Sequence, residues 1–132
     1  MDYKSRVGET SNTYRDVITA EQVSLFRSAL TGAPETKGTP VTVLASFRQG
    51  EKEIAERLEF KLNRMLHAEQ DYEFLEELPV GTEFEYQSRL VSILEKRGRE
   101  SRGGMIIFAI GTEYRLAGRV FATSKATVIY RS

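Results

Sequence analysis

Apolar residues recur along this chain in two rhythms, every third or fourth position in its first half and every second position in its second. In "TAEQVSLFRSALTG", Val23, Phe26 and Leu30 have helical spacing. Thr19 and Gln22 ahead of them match a capping box, and Gly32 ends the run. The preceding "TYRDVI", Thr13 to Ile18, alternates as a short strand, and "TGAPETKGTP" reads as a loop rich in Gly and Pro. Pro40 can open a second helix over "VTVLASF", although β-branched residues weigh against it. "EKEIAERLEFKLNRML" has the strongest helical pattern, with Ile54, Leu58 and Leu62 recurring between Glu and Lys. It predicts a helix ending near Asn63.

From "RMLHAEQDYEF" onward the period is two. A strand beginning near Arg64 puts Leu66, Ala68, Gln70, Tyr72 and Phe74 on one face, and His67, Glu69, Asp71 and Glu73 on the other. "TEFEYQSRLVSILEK" places Phe84, Tyr86, Ser88 and Leu90 together. "RGRESRGG" reads as a hairpin tip, "MIIFAIGTEYRL" as the returning strand, Gly118 as a tight turn and "VFATSKATVIYR" as the last strand. Early helices followed by long antiparallel strands predict one α+β domain over residues 1–132, its curved sheet lying over a helix. Exposed edges on such a sheet predict a dimer.

Composition narrows the chemistry. The chain has 19 Lys plus Arg against 19 Asp plus Glu, so no net field draws it to nucleic acid or a membrane surface. It has no cysteine, which excludes disulfides, thiolate catalysis and Cys-based zinc sites. The longest apolar run, "MIIFAI", is far too short to span a bilayer, and the N-terminus lacks a signal-peptide pattern. A cytoplasmic location is expected.

His67 is the only histidine, and on the alternating strand it belongs to a polar row with Glu69 and Asp71. That row reads first as a solvated or ligand-positioning face and second as a catalytic one; as a metal site it lacks a second histidine. Gln70, on the apolar side, must find partners, because an unsatisfied buried amide costs roughly 1–3 kcal/mol. It can pin the sheet to the helix or meet a ligand. No serine sits in a Gly-x-Ser-x-Gly elbow. Lys96, Arg97, Arg99 and Arg102 cluster among glycines, a composition suited to phosphate, but without Walker spacing and without a following helix. A soluble hairpin tip is the first reading of that cluster.

Taken together, "LHAEQDYEF", the "LPVG" turn, a strand ending in "EKRG" and a closing "VIYR" resemble the MaoC-like dehydratase family, in its N-terminal, non-catalytic type of hot-dog domain. The opening "TYRDVITAEQVSLFRSALTG" is similar too, and Ala68 stands where the family often has glycine. The resemblance implies an antiparallel sheet wrapped around a central helix, here expected over "PVTVLASF" and an extension of it. It implies (R)-specific enoyl-thioester hydratase or 3-hydroxyacyl-thioester dehydratase chemistry on CoA or acyl-carrier-protein substrates, with no further cofactor. The catalytic hot-dog of the family carries an aspartate five positions before a histidine. Here the fifth residue before His67 is Leu62.

The resemblance therefore implies a non-catalytic subunit of a two-component enzyme. His67, Glu69 and Gln70 would shape the substrate tunnel and interface, and Arg97, Arg99 and Arg102 would contact phosphate. Its partner would be a catalytic hot-dog subunit. The alternatives are a self-sufficient thioesterase or dehydratase using His67 with Glu69 or Glu59, and a homodimeric acyl-thioester binder.

Overall fold

The structure, a computed structural model, describes residues 2–29, 41–96 and 104–131. Among the described residues, two α-helices, α1 (Ala20–Ala29) and α2 (Gln49–Arg57), accompany five strands: β1 (Tyr14–Val17), β2 (Met65–Phe74), β3 (Glu83–Lys96), β4 (Met105–Leu116) and β5 (Arg119–Arg131). The strands form one antiparallel sheet in the order β1-β3-β4-β5-β2, so β2 is an edge although it precedes β3 in the chain. The expected strands at both ends, the α+β class and the tight turn at Gly118 are all present.

The capping box forms as the sequence predicts. The Gln22 amide N–H donates to Thr19 Oγ1 at 3.0 Å, and the Thr19 N–H donates to Gln22 Oε1 at 2.9 Å. The following region departs from expectation. Val41–Ser46 is a 3-10 helix, and the helix that lies on the sheet is α2, which packs on β3 and β4. The β-branched residues at 41–43 disfavour a regular α-helix, and buried Phe47 meets Phe84 edge-on with ring centroids 5.1 Å apart.

Helix α2 also stops six residues short of Asn63. Glu59 adopts φ +61°, the Glu59 N–H bonds to the Glu56 carbonyl, and the Phe60 N–H reaches back to the Ala55 carbonyl. This is a Schellman ending with Glu59 in the place that favours glycine. It turns the chain so that Phe60 stacks on Tyr130 at 4.2 Å and packs against Phe108. A continued helix would lose that burial, worth about 2–3 kcal/mol for a phenylalanine. Leu62, read as part of the apolar stripe, is exposed on a separate 3-10 turn.

The concave face of the sheet is apolar at both ends and polar in the middle. One apolar cluster gathers Phe47, Phe84, Tyr86, Tyr114 and Phe121; the other gathers Ile54, Leu58, Phe60, Phe108 and Tyr130. Between them, Ser88, Thr112, Ser124 and Tyr72 form one cross-strand row. Ser88 Oγ and Thr112 Oγ1 are 2.7 Å apart, and the Ser88 N–H donates to Ser11 Oγ at 3.0 Å. The first turn of α2 lands on this row, with Gly50 against Ser88.

Candidate functional site

The site is built around an irregularity in β2. His67 is opposite Val128 and Glu69 is opposite Thr127, so Ala68 is an extra residue with no partner on β5. A bulge of this kind changes the parity of a strand. Met65 and His67 lie opposite the buried Tyr130 and Val128; beyond the bulge, Gln70, Tyr72 and Phe74 lie opposite the buried Ala126, Ser124 and Ala122. His67 and Gln70 therefore share the concave face.

This corrects the alternating reading. His67 is not in a row with Glu69, Asp71 and Glu73, and Leu66 and Ala68 do not share the face of Gln70. Glu69 and Asp71 are exposed on the convex face, and among the described residues no ion pair forms to His67. The His67, Glu69, Asp71 row proposed as a weak metal candidate does not exist as one face. Glu59 is exposed at the opposite end of α2 from the polar row. Arg97, Arg99 and Arg102 lie outside the described residues.

A cavity of about 540 Å³ opens between α2 and the strands β2, β4 and β5, in the size range of small-molecule sites. Phe108, Ile110 and Val128 form its apolar floor, while Arg48, Glu51 and His67 supply polar groups. Leu62, five residues before His67, lines the same cavity with an apolar side chain.

Glu51 was not singled out by the sequence. The residue is 94% buried in the first turn of α2: Oε2 accepts from Arg48 Nε at 2.7 Å, and Oε1 is buried without a partner among the described residues. A signal was available, since Glu51 precedes Ile54, Ala55 and Leu58 by three, four and seven positions and so falls on the buried stripe. Gln70 is in a similar condition: both side-chain amide atoms are buried and unpartnered among the described residues. Its cross-strand row runs through Ala126 to Ile110 on the cavity floor. Gln70 thus lies on the concave face, and among the described residues no hydrogen bond pins it to the helix.

Two tyrosines stand beside these groups. Burial pushes the Tyr72 hydroxyl pKa up, the nearby charge of Glu51 adds to the rise, and Arg48 opposes it. Burial also raises Tyr114, whose hydroxyl lies 3.4 Å from Ser124 Oγ. Both stay neutral hydrogen-bonding groups near neutral pH. The arrangement can hold a ligand that is apolar along most of its length and offers hydrogen bonds at one point.

An antiparallel sheet curled around one helix in this strand order is the hot-dog fold. One chain of the C-terminally truncated HadBC (3R)-hydroxyacyl-ACP dehydratase complex of Mycobacterium tuberculosis superposes with a TM-score of 0.73 at 12% identity, covering 94% of this chain and 96% of that one. The (R)-hydratase of A. caviae involved in PHA biosynthesis gives 0.59 at 20% identity, covering 92% and 94%. A MaoC-like dehydratase gives 0.71 at 17% identity, covering 98% of this chain but only 43% of that longer one. No curated protein sequence matches. Residues 37–132 match the MFE-2 hydratase 2 N-terminal domain, and the chain belongs to that family. The expected MaoC-like relationship and hot-dog fold are both present.

Proposed function

We propose that the chain is a non-catalytic, substrate-binding hot-dog subunit of a two-component (R)-specific 3-hydroxyacyl-thioester dehydratase or enoyl-thioester hydratase. One observation carries this reading: His67 opens onto a cavity of ligand size in a hydratase-family fold, while the residue five positions earlier, Leu62, lines that cavity without an ionisable group. The apolar floor of Phe108, Ile110 and Val128 suits an acyl chain, and the polar groups on α2 and β2 suit the thioester arm. The carrier is CoA or an acyl carrier protein, and the catalytic partner pairs along the free edge of β2.

The test is turnover of crotonyl-CoA by the purified chain, alone and with whichever hot-dog protein co-purifies with it. Alone, hydration is negligible; it appears with a partner carrying the Asp/His motif. Hydration by the pure chain, abolished in His67→Ala, would sink the reading. Release of free thiol, lost in Glu51→Gln, would replace it with a self-sufficient thioesterase, whose base would be Glu51 rather than Glu69 or Glu59. Substrate binding by a homodimer that never captures a partner would make the chain an acyl-thioester binding protein.

A further inference from the structure

Among the described residues, the buried side-chain atoms without a hydrogen-bond partner are Glu51 Oε1 and the two amide atoms of Gln70. They sit on different elements: Glu51, on α2, lines the cavity, and Gln70, on β2, lies in the cross-strand row that passes through Ala126 to Ile110 on the cavity floor. Leaving such atoms unpaired is costly, and native interiors rarely leave them so without a reason. A group that pins sheet to helix would be bonded to something, and Gln70 is bonded to nothing described. The surrounding polar groups do not share this condition. Ser88, Thr112, Ser124 and Tyr114 satisfy one another, and Glu51 Oε2 is held by Arg48.

We propose that Glu51 and Gln70 bind a secondary amide, the group repeated along the pantetheine arm of acyl thioesters. This rests on the acyl-thioester reading above and assigns the arm's contacts within it. A trans amide points its N–H and C=O in opposite directions, so a buried one needs an acceptor on one side and a donor on the other. Glu51 Oε1 is an acceptor on the helix side, and Gln70 Nε2 is a donor on the strand side. Gln70 Oε1 remains for a further donor along the arm. Arg48 holds Glu51 in place through Oε2 and leaves Oε1 open. A site built to hydrogen-bond a substrate group discriminates strongly against an analogue that lacks it, because its own polar atoms then stay unpaired.

The experiment is an NMR titration of the full ¹⁵N-labelled chain with S-hexanoyl-N-acetylcysteamine, which carries one secondary amide. The control is S-butyl thiohexanoate, which carries none. The side-chain NH₂ pair of Gln70 is identified by its loss in Gln70→Leu. The amide-bearing thioester should shift that pair saturably and bind about tenfold or more tighter than the control. Gln70→Leu, and the length-preserving Gln70→Met, should erase that preference while raising Tm by a few degrees, since an unpaired buried amide has been removed.

Equal binding of both thioesters would overturn the proposal and leave the acyl-thioester reading intact, with water satisfying the two side chains. A fall in Tm for both variants with unchanged preference would overturn it in favour of a structural pin. Failure of both thioesters to bind would remove the parent reading, and this one with it.

Discussion

Gly50 and Ser88 touch across the helix–sheet interface so closely that a Cβ on residue 50 would lie 2.5 Å from Ser88 Oγ and 2.9 Å from Ser88 Cβ. Helix propensity alone would favour alanine at position 50 by about 1 kcal/mol. The contact reverses that preference, because Ser88 is itself buried and bonded to Thr112. Gly50→Ala should destabilise the chain by about 1–3 kcal/mol in urea denaturation. Adding Ser88→Gly should recover part of the loss.

The β4–β5 hairpin closes through Ala117 at φ +50° and Gly118 at φ +80°, between paired Leu116 and Arg119. Both residues are left-handed, as a type I′ turn requires, and alanine is a poor occupant of the first position. Ala117→Asn or Ala117→Gly should stabilise by about 0.5–1 kcal/mol. Gly118→Ala should destabilise by a similar amount, and thermal melts of the three variants would show opposite signs.

The N-terminal segment is tied to α2 through charge. Glu9 accepts from Arg6 and Arg57, and Glu53 accepts from Tyr14 Oη at 2.6 Å, from the Asn12 N–H and from Arg57. The Arg6 hydrogen bond, helped by Arg57 against the cost of burial, brings the Glu9 carboxyl from 4.5 down to about 2. Burial raises Glu53, but the bonds from Tyr14 and Asn12 and the charge of Arg57 outweigh it and leave the group below its ordinary value. A depressed carboxyl stabilises the fold above its unfolded pKa and loses that contribution as pH falls through the folded one. The urea midpoint should therefore decline between pH 4.5 and 2. Glu9→Gln should flatten the decline and lower the midpoint at neutral pH; an unchanged acid limb would contradict the assignment.

On the convex face, Leu94, Ile107, Ile129 and Leu66 form one apolar row across β3, β4, β5 and β2. The row ends at the free edge, where Leu66 is 64% exposed. If the proposed partner adds a strand there, it extends this row. Leu66→Lys should leave monomer stability within about 0.5 kcal/mol, as surface substitutions do, while weakening assembly by about tenfold in sedimentation or co-purification.

The long strands were legible because their faces differ. Phe84, Tyr86, Ser88 and Leu90 alternate cleanly and are all buried. The capping box was legible because two side chains and two backbone groups specify it locally. The helix bounds were not. Periodicity through Leu62 says nothing about the gain from turning Phe60 onto Tyr130. The bulge at Ala68 leaves no composition signal, since alanine fits either a regular strand or a bulged one. With it went the facing of His67, and Glu51, the buried carboxylate on the helix side, looked like an ordinary first-turn carboxylate.

The extra residue at Ala68 also determines which mutations on β2 can compensate for one another. Either side of it, odd and even positions exchange meaning, so residues an odd number apart across it address the same space while residues two apart across it do not. Covariation or paired substitutions on this strand should therefore couple His67 with Gln70, and leave Glu69 independent of both. Removing Ala68 would regularise the pairing without turning either side chain away.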